Sequence, residues 1–121
     1  MKGRPRTATE KRFHDQLCTI VGCAACRIDG RKNFYCGIHH IEGRTKPQAH
    51  WLVIPLCNPG HHQHDSRTGL TAIHPWKTRF VAKYGKERDL LRRCIGFLLA
   101  KGIRVPAEAI AASGYTEAQP C

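Results

Sequence analysis

The sequence has few acidic residues, no long apolar run and no export signal. Nine Asp and Glu stand against 20 Lys and Arg among 121 residues, which gives a formal net charge of +11 at pH 7. No segment approaches the roughly 20 apolar residues that a membrane-spanning helix needs. The opening MKGRPRTATEKR lacks the apolar stretch of a signal peptide. We therefore expect a cytoplasmic protein with no membrane partner.

The sequence also lacks a glycine-rich phosphate loop, a nucleophilic serine signature and an internal repeat. These absences disfavour nucleotide hydrolases of the P-loop type, serine hydrolases and solenoids. The basic residues are spread from Lys2 to Arg104. Such a spread favours a polyanionic partner such as nucleic acid, although it could also serve solubility alone.

The seven cysteines are an odd number and are interleaved with histidines. Together with the missing export signal, this pattern favours reduced thiols and a metal over a secreted disulfide scaffold. A redox role for Cys23-Ala-Ala-Cys26 is disfavoured because no βαβ pattern surrounds it. We interpret Cys18, Cys94 and Cys121 as ordinary thiols.

The chain length fits one α+β domain, small enough to benefit from a metal that stabilises it. We predict a basic flexible arm at 1–7, a single domain at 8–113 and a disordered tail at 114–121. Thr7 and Glu10 have capping-box spacing, and Gly22 ends the helix that follows them. Apolar spacing and turn residues predict helices near 8–20, 76–84, 86–101 and 106–113, and a hairpin of strands 34–41 and 51–56.

Four residues have the spacing of a structural zinc site. Cys23 and Cys26 form a first close pair, and Cys57 with His61 forms a second pair at the end of the second predicted strand. Two pairs from separated turns can surround one zinc ion as a Cys3His set. His62 could replace His61, and Cys36 is a possible substitute ligand.

The remaining histidines exceed what one four-ligand zinc can use, so they predict a second site. Adjacent imidazoles can divide the work of binding a metal and moving a proton. His39 and His40 lie on a predicted strand, where neighbouring side chains diverge, so a bulge would be needed to turn both into one cleft. His14 appears alone on the first helix, and we interpret it as a surface residue without a role.

The motifs that carry this chemistry resemble those of the HNH nuclease superfamily, and most closely those of the phage Ref family of RecA-dependent nucleases. The resemblance covers about residues 10–92. Its motifs, in the family's order, are LCTIVGCAAC at 17–26, GIHHI at 37–41, IPLC at 54–57, His61-His62, Ile73-His74 and Tyr84-Gly85.

The resemblance implies a small zinc-stabilised domain with a ββα-metal core, flanking helices and one catalytic divalent cation, Mg, Mn or Zn. By this likeness His39 binds the metal and His40 is the general base. A further ligand comes from the later cluster, His62 first and then His64 or His74. The asparagine that names the HNH group has no equivalent here, and His50 lies near its place.

The resemblance further implies a DNA endonuclease that acts on single-stranded or recombination-intermediate DNA with a RecA filament as partner. It also implies a phage or prophage gene product that acts in the bacterial cytoplasm. A zinc-knuckle adaptor that binds nucleic acid without catalysis is the alternative. Basic residues flanking the predicted site are candidates for phosphate contact, or a solvated basic face: Arg44, Lys46, Arg67, Lys77 and Arg79.

Overall fold

A computed structural model describes residues 3–116, which form an α+β fold with one two-stranded antiparallel sheet. This confirms the predicted α+β class. A π-helical turn, Leu17–Val21, continues the first helix. The other elements are α1 Ala8–Gln16, α2 Ala24–Ile28, β1 Cys36–His40, β2 Val53–Cys57, α3 Lys77–Tyr84, α4 Glu87–Ala100 and α5 Ala107–Ser113.

The first helix begins at the predicted capping box. The Thr7 hydroxyl accepts from the Glu10 backbone N–H at 3.2 Å, and the Glu10 carboxylate accepts from the Thr7 N–H at 2.8 Å. The α-helical part ends at Gln16, earlier than predicted, and the chain winds on as the π-turn until Gly22, whose φ of 77° suits glycine.

The two strands pair as a hairpin, with Cys36 opposite Cys57 and His40 opposite Val53. Both strands are edges of this small sheet, so Pro55 costs the ladder little. β1 is shorter than the predicted 34–41, and β2 begins two residues later than predicted and extends to Cys57. All five residues of β2 are buried, because α2, the π-turn and α4 pack against it.

The core lies between β2 and α4. Both α3 and α4 begin and end within one residue of the predicted bounds, and α5 begins one residue later than predicted. Trp51 is buried, with its ring centroid 5.6 Å from that of Phe13, whereas Trp76 is only half-buried. The largest fully buried apolar side chains are Phe13, Phe80, Leu17, Ile54, Leu56, Ile73, Leu90, Leu91, Ile95 and Leu98.

The first described residues lie against the loop between the strands. Arg4 donates to the Glu10 carboxylate at 3.0 Å and to the Pro47 carbonyl at 2.6 Å. Residues 1–2, and residues 117–121 of the predicted tail, lie outside the described residues, so the arm and tail stay predictions. Within 3–116 no helix combines the length and apolar character needed to cross a bilayer.

Candidate metal centres

The four predicted zinc ligands meet in one buried cluster. The Nδ1 atom of His61 lies 3.4 Å from the sulfurs of Cys23 and Cys26 and 3.3 Å from that of Cys57, and the last two sulfurs are 3.8 Å apart. A tetrahedral zinc with ordinary bond lengths needs S···S edges of about 3.8 Å and S···N edges of about 3.5 Å. The cluster could therefore hold a metal ion of this kind.

Local backbone geometry prepares both halves of this cluster. Cys23 caps α2, where its sulfur accepts from the Cys26 N–H at 3.4 Å. Cys57 ends β2, and its sulfur accepts from the His61 N–H at 3.3 Å. Cys36, the alternative ligand, lies outside the cluster and donates its S–H to the Asn33 carbonyl.

A tyrosine and an aspartate orient His61 through its Nε2, the ring nitrogen that faces away from the thiols. Tyr84 donates its hydroxyl hydrogen to Asp29 at 2.7 Å, so its oxygen is free to accept from the Nε2–H of His61 at 2.8 Å. This arrangement leaves the His61 lone pair on Nδ1, the nitrogen that faces the thiols. Such partners of ligating histidines fix the ring and raise its basicity.

The thiols differ in how readily they ionise. A hydrogen bond from Cys23 lowers the pKa of Cys57 to about 4, against the opposing effect of burial, with further help from His61. The same bond and burial raise the pKa of Cys23. Cys57 is therefore the thiol of this pair that ionises more readily, and a thiolate is the form of cysteine that binds a soft cation.

A second group consists of three imidazoles, His39, His62 and His74, each of which offers a ring nitrogen within 4.8 Å of the others. Their ring centroids are 5.2 to 5.4 Å apart. The choice between His61 and His62, open in the sequence, is thus resolved by position, because the two side chains lie in different clusters.

Backbone pairing in the connection between β2 and α3 builds the second group. The His74 N–H donates to the His62 carbonyl at 3.1 Å, and the His64 N–H donates to the His74 carbonyl at 3.0 Å. The His64 ring lies outside the group and contacts Trp76, with centroids 4.4 Å apart. Of the two predicted later alternatives, only His74 therefore joins His39 and His62.

His39 is held from the side of α4. Its Nε2–H donates to Glu87 at 2.6 Å, and Lys77 pairs with the other oxygen of that carboxylate at 3.2 Å. Although burial raises the pKa of Glu87, these two partners lower it overall. Since the carboxylate can only accept, the lone pair of His39 is on Nδ1.

His62 fits a ligand role. Its Nδ1 is buried without a hydrogen-bond partner among residues 3–116. Burial, with the nearby His39 and His74, lowers the pKa of His62 to about 4, so the ring is neutral at pH 7. Three adjacent imidazoles with an orphaned ring nitrogen are a donor set suited to a divalent transition metal.

His40 points to the other side of β1, as strand geometry predicts, and its Nε2 lies 3.1 Å from Nδ1 of His50. The Nε2 of His50 lies 2.7 Å from the Arg4 carbonyl, which can only accept. A neutral His50 therefore accepts at Nδ1, His40 donates from Nε2, and the His40 lone pair is on Nδ1. Burial, then the charge of Arg44, lowers the pKa of His40 to about 4.

His14 is part of this network, so its interpretation as a surface residue is wrong. It is 1% exposed, accepts from Arg6 at 3.0 Å and donates its Nε2–H to the His50 carbonyl at 2.7 Å. The two residues of this contact, His14 and His50, are 36 positions apart in the sequence. The spacing of residues within the first helix therefore does not reveal it.

An open cleft of about 610 Å³ is lined by His39, His40, His62 and His74. Of the basic candidates, Arg44 and Lys77 line the same cleft. The structure places the others in separate contacts: Lys46 pairs with Glu42, Arg67 pairs with Asp65, and Arg79 lies over Trp76.

Sequence reasoning missed three residues that support the clusters: Glu87, Asp29 and His14. Glu87 and Asp29 resemble ordinary surface charges in the sequence, and no spacing connects them to the histidines. Tyr84 belongs to the Tyr84-Gly85 motif of the sequence, but the sequence gives it no role at the site.

A family model for proteins described as "recombination enhancement, RecA-dependent nuclease" matches residues 6–99. The match contains both clusters, the cleft and their supporting residues. Membership implies a nuclease that takes part in recombination, with nucleic acid as substrate and dependence on RecA. This chain belongs to the family of RecA-dependent recombination-enhancement nucleases.

Proposed function

We propose that this nuclease is a metal-dependent DNA endonuclease that hydrolyses phosphodiester bonds at an HNH-like, one-metal site. The observation that carries the proposal is the group of His39, His62 and His74, which opens into a cleft that His40 and Arg44 also line. Hydrolysis of this kind needs ligands for a cation, a base for water and a positive surface for phosphate. The cleft offers all three.

The order of the elements supports an HNH-like core. Two antiparallel strands precede α3, as a ββα unit requires, with His39 on the first strand and His74 shortly before the helix. His40 follows His39 in β1, and we assign it the role of general base.

His39, His62 and His74 would hold the cation, with Glu87 fixing the ring of His39. A bound divalent ion supplies positive charge that offsets the charge developing on the phosphate and on the leaving oxygen. Imidazole donors suit zinc better than magnesium. The Cys3His cluster would hold a separate structural zinc, closed by four protein ligands.

His40 would take the proton from the attacking water at its Nδ1. The bond from His40 Nε2 to His50, and from His50 to the Arg4 carbonyl, holds that lone pair in place. Arg44 and Lys77, at the walls of the cleft, would bind the phosphate backbone. Single-stranded or recombination-intermediate DNA coated by RecA is the proposed substrate.

The test is cleavage of supercoiled plasmid and of single-stranded oligonucleotides, with and without a RecA filament, in Mg, Mn or Zn. His40→Ala should lower the rate about 100- to 10,000-fold, because a general base acts in the transition state. Its DNA affinity should stay close to that of the wild type. Cleavage by His40→Ala at the wild-type rate would contradict the role of His40 as the base. Binding of DNA without cleavage by the wild type under every one of these conditions would favour a binding adaptor.

A further inference from the structure

Two adjacent aromatic side chains are exposed just before β1. Tyr35 is 78% exposed and Phe34 is 49% exposed. Of the large apolar side chains among residues 3–116, that of Tyr35 is the most exposed, so its ring can contact a partner.

The backbone under these rings is held on both sides. The Tyr35 N–H donates to the Asn33 side chain at 3.0 Å, and the Tyr35 carbonyl accepts from the Asn58 N–H at 3.4 Å. The Phe34 ring lies against Gly22, where a Cβ would come within 3.1 Å of it. Tyr35 is therefore displayed from a fixed position, and little ordering would be needed for a flat partner to bind.

A shallow groove lies beside Tyr35 at the start of β1. Tyr35, Cys36, Gly37 and Asn58 line a depression of about 260 Å³. At its other end, a Cβ on Gly37 would lie 3.9 Å from Nδ1 of His62. Gly37 therefore lies between Tyr35 and His62, whose Nδ1 is itself buried. Tyr35 and His39 are four positions apart in the sequence, which is about 13 Å of extended chain or the span of a few nucleotides.

The charge around the groove suits a polyanion. Arg31 and Lys32 are exposed, and one residue, Asn33, separates them from the aromatic pair. Arg31 pairs with Asp29 at 3.3 Å, whereas Lys32 has no ion pair within residues 3–116. Aromatic rings beside cationic side chains are how many proteins hold single-stranded nucleic acid.

We propose that Tyr35, with Phe34 beside it, is a stacking platform for an unpaired base of single-stranded DNA. The strand would then follow the groove past Gly37 to the cleft. This inference rests on the proposed function, since it names the form of DNA that reaches that site. A duplex keeps its bases stacked on one another, so the platform favours single strands.

The experiment measures binding of a fluorescent oligothymidylate by anisotropy, in the His40→Ala background so that the probe is not cleaved. Tyr35→Ala should weaken binding by about 5- to 100-fold, the usual loss for one stacked base. Tyr35→Trp should bind at least as tightly as Tyr35, and Tyr35→Leu should resemble Tyr35→Ala. Leu99→Ala removes an exposed apolar side chain from α4 and is the matched control.

Two further probes decide the result. Duplex DNA of the same length should bind all the Tyr35 variants with equal affinity. A single strand made of abasic nucleotides should bind Tyr35→Ala and the protein that keeps Tyr35 with equal affinity. Equal loss on single-stranded and duplex probes, or no loss at all, would overturn the stacking platform. If Tyr35→Ala loses affinity for single strands as expected but His40→Ala still cuts DNA at the wild-type rate, only the catalytic proposal is overturned.

Discussion

His50 is a buried histidine that connects the N-terminal arm to the proposed base. It has no unusual sequence context. In the structure, its ring accepts from His40 and donates to the Arg4 carbonyl. A histidine in this position selects one tautomer of its neighbour, which is a requirement for a base that acts through a single nitrogen.

We predict that His50→Ala lowers kcat by about 10- to 100-fold with little change in KM, because His40 loses the partner that orients it. His50→Asn, whose side-chain oxygen can replace the accepting nitrogen, should recover part of the rate. Nitrogen-15 NMR of the His40 ring should report a single tautomer in the wild type and a mixture in His50→Ala. Equal activity losses in the two variants, in proportion to their thermal stability, would indicate a structural role instead.

At the scale of elements, the connection between β2 and α3 decides which histidines meet. Residues 61–64 pair with 73–74 through backbone hydrogen bonds, although the segment has no regular secondary structure. The pairing directs successive side chains to different places. His61 enters the Cys3His cluster, His62 enters the imidazole group, and His64 contacts Trp76.

This pairing predicts unequal effects of two similar substitutions. His74→Ala should weaken binding of the second metal equivalent by at least about 10-fold, because it removes one of three donors. His64→Ala, three residues from the Cys3His ligand His61, should leave that affinity close to the wild type. Titration calorimetry with Zn or Mn on protein with a filled Cys3His site gives both values. Equal weakening by the two substitutions would contradict the ligand assignment.

At the scale of the whole molecule, the Cys3His cluster joins parts of the chain that are far apart in sequence. It connects the start of α2 to the end of β2, and Tyr84 links it to α3. A domain of this size has a modest core, so a metal held at such a junction adds directly to the free energy of unfolding.

We expect Cys57→Ser to lose one equivalent of zinc and the cooperative thermal transition, because structural zinc binding is coupled to folding. Cys36→Ser is the matched control, since Cys36 borders the same sheet but lies outside the cluster. Zinc content by mass spectrometry and thermal unfolding by circular dichroism give the comparison. Unchanged zinc and stability in Cys57→Ser would show that the cluster is not a structural site.

The sequence alone determined the hairpin, four of the five α-helices and the four residues of the Cys3His cluster. Helix caps, apolar spacing and turn glycines are local signals, so α3, α4 and α5 were predicted within one residue at each end. The paired spacing of Cys23, Cys26, Cys57 and His61 was similarly readable, because close pairs of ligands leave a local pattern. The π-turn was missed, since its apolar spacing is the same as that of an α-helix.

The tertiary structure alone decided how the remaining histidines are divided and which residues support them. Contacts such as His39 with Glu87, or His14 with the His50 carbonyl, join residues 48 and 36 positions apart. No local pattern encodes such pairs, because they form only when α1 and α4 pack against the hairpin. The direction of a side chain from an irregular segment depends on backbone pairing, and that is why His62 and His74 came together while His64 did not.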